Sequence, residues 1–319
     1  MTETLTEVPD WTQLPPGSVT DLKLRPDLGA EVEIAGRIVR GSQPGPTLLV
    51  TAGVHGAEYA SIEAAVRVMG TDPLALSGTL VVLPIVNPPA YWARSIYINP
   101  IDGKNLNRCF PGRPDGSYAE RLAHWLTTTF IARADAYLDL HGGDLVEALE
   151  PFSIAPAGDE AALALGRAFG LPHLTVSDGQ VMSIAAARQH GVPALIAEAG
   201  GQGLWPEEAI SPLVDGVRRV LGHLGMLGAA PEPLPIQFHP ALAWLSAPVG
   251  GLWYPAARVG EWVQAGQAVG LIRDVFGQTL AELSAPAGGT VLFAVTSLAM
   301  NAGDPLYGIG TATPEAHHV

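Results

Sequence analysis

An α/β architecture with a smaller all-β module at its C-terminal end is what the sequence predicts, on three observations. Through the first two-thirds of the 319 residues, apolar runs of strand length alternate with stretches of helical spacing, the pattern of an α/β sheet. Several of those runs lead into a histidine or an acid beside glycine: "TLLVTAGVHG", "AYLDLHGG" and "ALIAEAGG". Beyond the proline-rich stretch "GAAPEPLPIQFHP" (228–240), which reads as an interdomain linker, short apolar runs alternate with Gly and Pro. The expected division is an α/β unit over residues 1–230 and a β unit over 231–319.

Taken in order, "EVEIAGRIVRG" (31–41) reads as a strand pair, with a turn at "SQPGP". "TLLVTA" (47–52) is continuously apolar, as a central strand buried on both faces should be. "AEYASIEAAVRVM" has the composition and spacing of a helix, and "GTLVVLPIVN" (78–87) is the next buried strand. The segment 88–116 is a long loop rich in Pro, Asn and Gly; a loop of that length in a compact domain usually carries function. A helix starts at Ser117, where Ser117 and Glu120 are spaced as a capping box and Leu122, Leu126 and Phe130 form an apolar stripe. "AYLDLH" (136–141) and "VPALIAEAGG" (192–201) are two further strands that run into glycine turns.

Composition narrows the function. At 48% hydrophobic and 15% charged residues the chain is globular, and a net charge of −14 argues against a nucleic-acid partner, whose phosphates need clustered Lys and Arg. No segment reaches the roughly 18 apolar residues of a membrane helix. The opening "MTETLTEVPDWTQLPPG" lacks a basic start and an apolar signal core, so a cytoplasmic location is expected. Cys109 is the single cysteine, so any metal must be held by His and carboxylate groups. It reads as a packed small hydrophobe rather than a nucleophile.

His55 and Glu58 lie three residues apart in "GVHGAE", which alone fits a structural histidine as well as a metal ligand. His141 and Glu198 change the balance, because each also stands at a strand end. In open α/β sheets ligands bind beyond the carboxyl ends of the strands. Two histidines and a glutamate suit zinc with one open position, and Glu198 is then placed to take a proton from water. Asp139, two residues before His141 on the same strand face, is a candidate to orient that imidazole through its other nitrogen. A structural role for Asp139, satisfying loop backbone donors, stays open.

With "GVHGAE" (53–58), "NPPA" (87–90), "DGKNLNRCFPG" (102–112), "DLHGG" (139–143) and "AEAGG" (197–201) in this order, the chain resembles the succinylglutamate desuccinylase/aspartoacylase family. The resemblance implies a zinc-carboxypeptidase-like mixed sheet flanked by helices, with a C-terminal barrel-sandwich-like domain that caps the cleft. It implies one Zn²⁺ per chain on His55, Glu58 and His141, with Glu198 as general base. It further implies that Asn107 and Arg108 bind the substrate's α-carboxylate, that Arg188 binds a substrate carboxylate, and that Arg94 polarises the scissile carbonyl. The substrate would be a small N-acyl amino acid; a homo-oligomer stays open. The tyrosine that aspartoacylases present from their C-terminal domain has no counterpart in "VTSLAMNAGD", so the acyl preference should differ.

Rival functions are weaker. A carboxypeptidase acting on peptides would use the same chemistry, though a module that narrows the cleft favours small substrates. The C-terminal segment looks like a biotinyl/lipoyl-type sandwich, yet residues 274–319 contain no lysine to carry a cofactor. A metal-binding pseudoenzyme would be expected to lack Glu198. Elsewhere, His124, His173, His190, His223 and His239 read as surface or helix-end residues, and Trp244, Trp253 and Trp262 as the core of the β module.

Overall fold

Apolar strands and amphipathic helices build a large mixed sheet in the computed structural model, which describes residues 3–229 and 232–311. The expected boundary at 230/231 lies outside the described residues. The first strands are β1 (Glu3–Leu5), β2 (Ser18–Leu24), β3 (Ile34–Arg40), β4 (Gln43–Ala52), β5 (Ser77–Leu83) and β6 (Ala136–His141). Then come β7 (Glu147–Leu149), β8 (Phe152–Pro156), β9 (His173–Ser177), β10 (Ala194–Glu198) and β11 (Gln237–His239). All of these except β7 form one sheet, ordered β1-β2-β3-β5-β4-β6-β10-β8-β9-β11. Its centre, β5-β4-β6-β10, is parallel, so four strand ends open on one edge.

Six α-helices are described: α1 (Tyr59–Val68), α2 (Pro88–Ala93), α3 (Tyr118–Thr129), α4 (Glu160–Phe169), α5 (Ser183–Gln189) and α6 (Glu207–His223). Helices α1, α4 and α6 pack on one face with Val50, Leu138 and Ala197. Helices α3 and α5 cover the other face with Leu49, Tyr137 and Ile196. Alternate residues of each central strand thus enter opposite cores, which is why those strands are apolar throughout.

The remaining strands, β12 (Leu242–Ser246), β13 (Gly251–Pro255), β14 (Trp262–Val263), β15 (Ala268–Arg273), β16 (Thr279–Ser284), β17 (Gly289–Val295), β18 (Ala299–Met300) and β19 (Pro305–Thr311), make two further sheets. One runs β12-β19-β17-β14 and the other β16-β15-β13-β18. Two segments cross between the units. Strand β11, inside the proline-rich stretch expected to be a linker, pairs with β9 as an edge of the large sheet. Strand β7 pairs with β17 instead.

Several expectations need correction. Residues 31–41 supply one strand, β3, and "SQPGP" opens β4 rather than forming a turn. Pro44 and Pro46 lack the N–H that a regular ladder uses, and the register shifts between Gln43 and Thr47. The loop 88–116 contains α2 and a short 3₁₀ turn, Leu106–Arg108. Of the three tryptophans only Trp253 is core, at 1% exposure; Trp244 and Trp262 sit on the outermost strands β12 and β14, more than a third exposed. His173 and His239 are buried rather than superficial, and their rings bond at 2.9 Å.

Candidate active site

Three strand ends converge. Strand β4 delivers the turn that carries His55 and Glu58, with Glu58 immediately before α1. Gly56 is required in that turn, since a Cβ there would lie 2.1 Å from the Ala90 carbonyl carbon of α2. Asn87, the residue preceding α2, donates its side-chain amide to the Val54 carbonyl at 3.1 Å and so ties this turn to the next strand. Strands β6 and β10 are paired in parallel with Glu198 opposite His141. Chain order separates these groups widely; strand order makes them neighbours.

The donor atoms of His55, Glu58 and His141 lie within 4.8 Å of one another, and all three residues are buried. Glu58 Oε1 stands 2.7 Å from His55 Nδ1, and Oε2 stands 3.0 Å from His141 Nδ1. The far nitrogen of each ring has its own neighbour. His55 Nε2 is 3.1 Å from Asn105 Oδ1, and His141 Nε2 is 3.1 Å from Asp139 Oδ2. Asp139 also accepts from Thr51 Oγ1 at 2.6 Å and Ser183 Oγ at 2.5 Å, so side-chain hydroxyls, not loop N–H groups, satisfy it.

Burial works against charge here, yet the acid–imidazole contacts outweigh it. Although burial raises the Glu58 pKa, the two imidazoles hold it down at about 2. His141 is moved well above its ordinary value, against burial, by Glu58 and Asp139, and His55 is raised by Glu58. Glu58 Oε2 and His141 Nε2 remain buried without a well-formed hydrogen bond. Two imidazole nitrogens and a carboxylate, converging with incomplete hydrogen bonding, fit a divalent cation with a taste for nitrogen and oxygen ligands.

The cluster opens into a cleft of about 820 Å³ that Glu198, Asn107 and Arg108 also line. Burial pushes the Glu198 carboxyl up to about 8, with His141 opposing and Glu58 and Glu147 adding to the rise. Asn105 accepts the Asn107 N–H at 2.8 Å and begins the 3₁₀ turn that presents Arg108. Asn107 Oδ1 accepts from Ser183 N–H at 3.0 Å, which leaves its amide nitrogen to donate. Leu242, Trp244 and Phe293 of the β module form part of the cleft wall.

Arg94 and Arg188 are not brought to this cleft. Arg94 ends α2 in the left-handed conformation (φ 52°) and lines a separate depression with Tyr59, Trp92 and Trp205. Arg188, in the last turn of α5, donates to the Ala157 carbonyl at 2.8 Å and lines an adjoining hollow. Spacing along the chain cannot fix which side of a loop or helix an arginine leaves from. Conversely, Asn105, Tyr97 and Glu147 line the cleft although the sequence did not single them out. The Tyr97 ring meets His55 edge-on at 5.8 Å, and its N–H bonds Asp144 Oδ2 at 2.9 Å. Cys109 donates to the Asn105 carbonyl at 3.3 Å and burial raises its thiol, which suits a packed residue.

Known proteins share this architecture. The N-alpha-acetyl-L-2,4-diaminobutyric acid deacetylase of Halomonas elongata is 31% identical over 248 residues, covering 72% of this chain and 71% of the relative. The crystal structure of a succinylglutamate desuccinylase/aspartoacylase from Rhodobacter sphaeroides superposes with a TM-score of 0.80 at 30% identity, over 89% of this chain and 91% of the other. The product-bound ectoine utilization protein EutE (DoeB) of Ruegeria pomeroyi gives 0.83 at 26% identity, over 94% and 98%. Residues 44–224, more than half of the chain, match the succinylglutamate desuccinylase/aspartoacylase catalytic domain. With that match and the Halomonas relative above 30% identity, the chain belongs to the succinylglutamate desuccinylase/aspartoacylase family.

Proposed function

We propose that the protein is a zinc-dependent hydrolase that cleaves the amide bond of a small N-acyl amino acid. The observation that carries this is a buried His55–Glu58–His141 cluster sharing one cleft with the Glu198 carboxylate and the Arg108 guanidinium. The names of the Halomonas relative and of the matched catalytic domain support an N-acyl amino acid as substrate. His55, Glu58 and His141 would hold the ion. When bound, zinc supplies Lewis acidity that polarises the amide carbonyl and acidifies water.

The protein groups do the rest. Glu198, poised near neutrality by burial, accepts the proton of the attacking water and returns it to the departing amine. Arg108 offers a planar fork to the α-carboxylate, and the Asn107 amide nitrogen adds a second donor. Asp139 holds His141 in place through its Nε2. Residues 1–230 are read as the catalytic unit and 231–319 as the unit that caps the cleft; a wall that includes Trp244 and Phe293 supports small substrates over peptide chains. Arg94, expected to polarise the scissile carbonyl, is not among the residues that line this cleft.

The test is a hydrolysis screen of the zinc-loaded protein on N-acetyl, N-succinyl and longer N-acyl amino acids and on dipeptides. Turnover of an N-acyl amino acid, abolished by chelation and restored by zinc, is the expected result. Dipeptide cleavage without it would make the protein a peptidase.

A further inference from the structure

The cleft has more room than an amide and an α-carboxylate fill. Its volume is about 820 Å³, within the range of about 300–1,000 Å³ of pockets that enclose drug-sized ligands. The His55–Glu58–His141 cluster, Glu198 and Arg108 attend to the reacting amide and the α-carboxylate. The rest of the wall is free to read another part of the substrate.

The sheet sets the chemistry of that wall. Strands β10 and β8 are antiparallel, with Phe152 opposite Glu198 and Ile154 opposite Ile196. Opposed residues share a face, and the second pair stands two residues along the strands from the first, about 7 Å away. Carbon therefore begins beside the Glu198 carboxylate and continues away from it. Met182, which precedes α5, and Leu242 and Phe293 of the β module line the same cleft.

Ile154 shows that the protein itself does not fill this space. Strand β8 lies between β10 and β9, with α4 packed on one face and α5 on the other. Such a strand is normally buried on both sides. Ile154 is nonetheless half-buried, alone among the residues of β8. Met182 and Leu242 are half-buried too. Apolar side chains left partly wet inside a cleft favour a ligand that removes their surface from water.

Charge excludes an acidic occupant. Of the described residues that line the cleft, Arg108 is the one basic side chain besides His55 and His141. Glu147, Asp178 and Glu198 line it as well, and all three are acids. With Arg108 engaged by the α-carboxylate, a second substrate carboxylate would be buried without a cation, which is costly. We propose that the wall running from Phe152 through Ile154 is a subsite for an uncharged hydrocarbon group of the substrate, supplied by its acyl chain or by its amino-acid side chain. Succinyl and other acidic groups are thereby disfavoured. This rests on the hydrolase reading above.

The experiment runs two series on zinc-loaded protein: N-acetyl-, N-butyryl- and N-hexanoyl-alanine, and the N-acetyl derivatives of alanine, norvaline and norleucine. N-succinylalanine and N-acetylglutamate are their acidic controls. Whichever series rises names the group that enters the subsite, and its kcat/KM should gain about three- to four-fold per methylene, as burial of each CH₂ predicts. The acidic control of that series should fall below its longest member by about 10-fold or more. Ile154→Thr keeps the branched strand-forming shape and should flatten the slope. Calorimetric titration of hexanoate, norleucine, succinate and glutamate gives a readout that needs no turnover. Hexanoate or norleucine should outbind its acidic counterpart, with a negative heat-capacity change. If hydrolysis occurs but both series are flat, or an acidic control is preferred, or the slope survives Ile154→Thr, the subsite is overturned and the hydrolase reading stands. If nothing is hydrolysed but hexanoate or norleucine binds in an Ile154-dependent way, the hydrolase reading fails and the subsite stands. Should Ile154→Thr fail to fold by circular dichroism, Leu242→Ser at the start of the outermost strand β12 serves: a shallower slope is expected, and an unchanged one would overturn the assignment.

Discussion

Two pairs of buried histidines sit in this protein with the same spacing: ring centroids are 5.1 Å apart both for His55 and His141 and for His173 and His239. Their surroundings are opposite. Between the first pair stands the Glu58 carboxylate, Asp139 backs one ring, and a cleft opens alongside. The second pair joins β9 to β11 and has no acid between its rings. His239 Nδ1 lies 3.1 Å from the Thr311 carbonyl and must donate to it, so its Nε2 accepts from His173 Nδ1. Accordingly the first pair is raised in pKa, chiefly by Glu58 against burial, and the second is lowered by burial, His173 to about 4. Proximity of imidazoles does not make a metal site; the intervening acid and the open space do.

The most damaging change to this contrast is His141→Ala. It should strip the metal and reduce turnover to background while the thermal midpoint shifts by only a few degrees, because the residue lies at a strand end. Elemental analysis decides: stoichiometric zinc in the variant removes His141 from the ligand set. Glu198→Gln comes next. It should retain zinc but lower kcat by about 10² to 10⁴, the usual worth of a general base. Activity within a few-fold of wild type would assign the proton transfer elsewhere.

Asp139→Asn probes the backing acid that the second pair lacks. Zinc affinity should fall by about 10- to 100-fold, as it does when the partner of a ligand histidine is altered. Competition with a chromophoric chelator measures it, and an unchanged constant would make Asp139 a scaffold residue only. The smallest effect belongs to the second pair. Folded-state pKa values below the ordinary histidine value mean that the unfolded chain binds more protons as pH falls. The pair's stabilisation is therefore complete above about pH 6.5, declines through the window down to about 4 and then levels off. The loss should be about 1–2 kcal/mol, since solvent still screens part of the charge. Urea unfolding of zinc-loaded wild type and His173→Gln at pH 7.5 and 5 tests this; parallel losses in both would discard the pair as the source.

What could be read from the sequence follows the same division between local and distant causes. Strands β4, β6 and β10 were legible because both faces are buried and their ends carry a histidine or acid beside glycine. The capping acid Glu120 was legible too, and it accepts the Ser117 N–H at 2.9 Å. Ser117's hydroxyl, however, turns to Asp102 Oδ2 at 2.7 Å, a partner fifteen residues back that no capping pattern contains. Glu147 escaped notice because its place in the cleft wall depends on β17, far along the chain. A glutamate inside the short apolar run "LVEAL", just past "DLHGG", was the one local hint. The His173–His239 bond spans 66 residues and joins segments that look like an ordinary strand and a linker. Arg94 and Arg188 were placed by distance along the chain, whereas the direction in which α2 and α5 end decided where they went.

The pairing of β7 with β17 has a consequence for how the enzyme comes into being. The wall that bears Glu147 emerges from the ribosome roughly 150 residues before Val295, the residue it pairs with. At synthesis rates of about 5–20 residues per second, that interval is on the order of ten to thirty seconds. During it the nascent sheet already possesses His55, Glu58 and His141, while the pocket's far wall does not yet exist. If these three residues hold a metal as proposed, they can capture it before β17 completes the cleft wall, and a chain released earlier would carry the cluster without that wall.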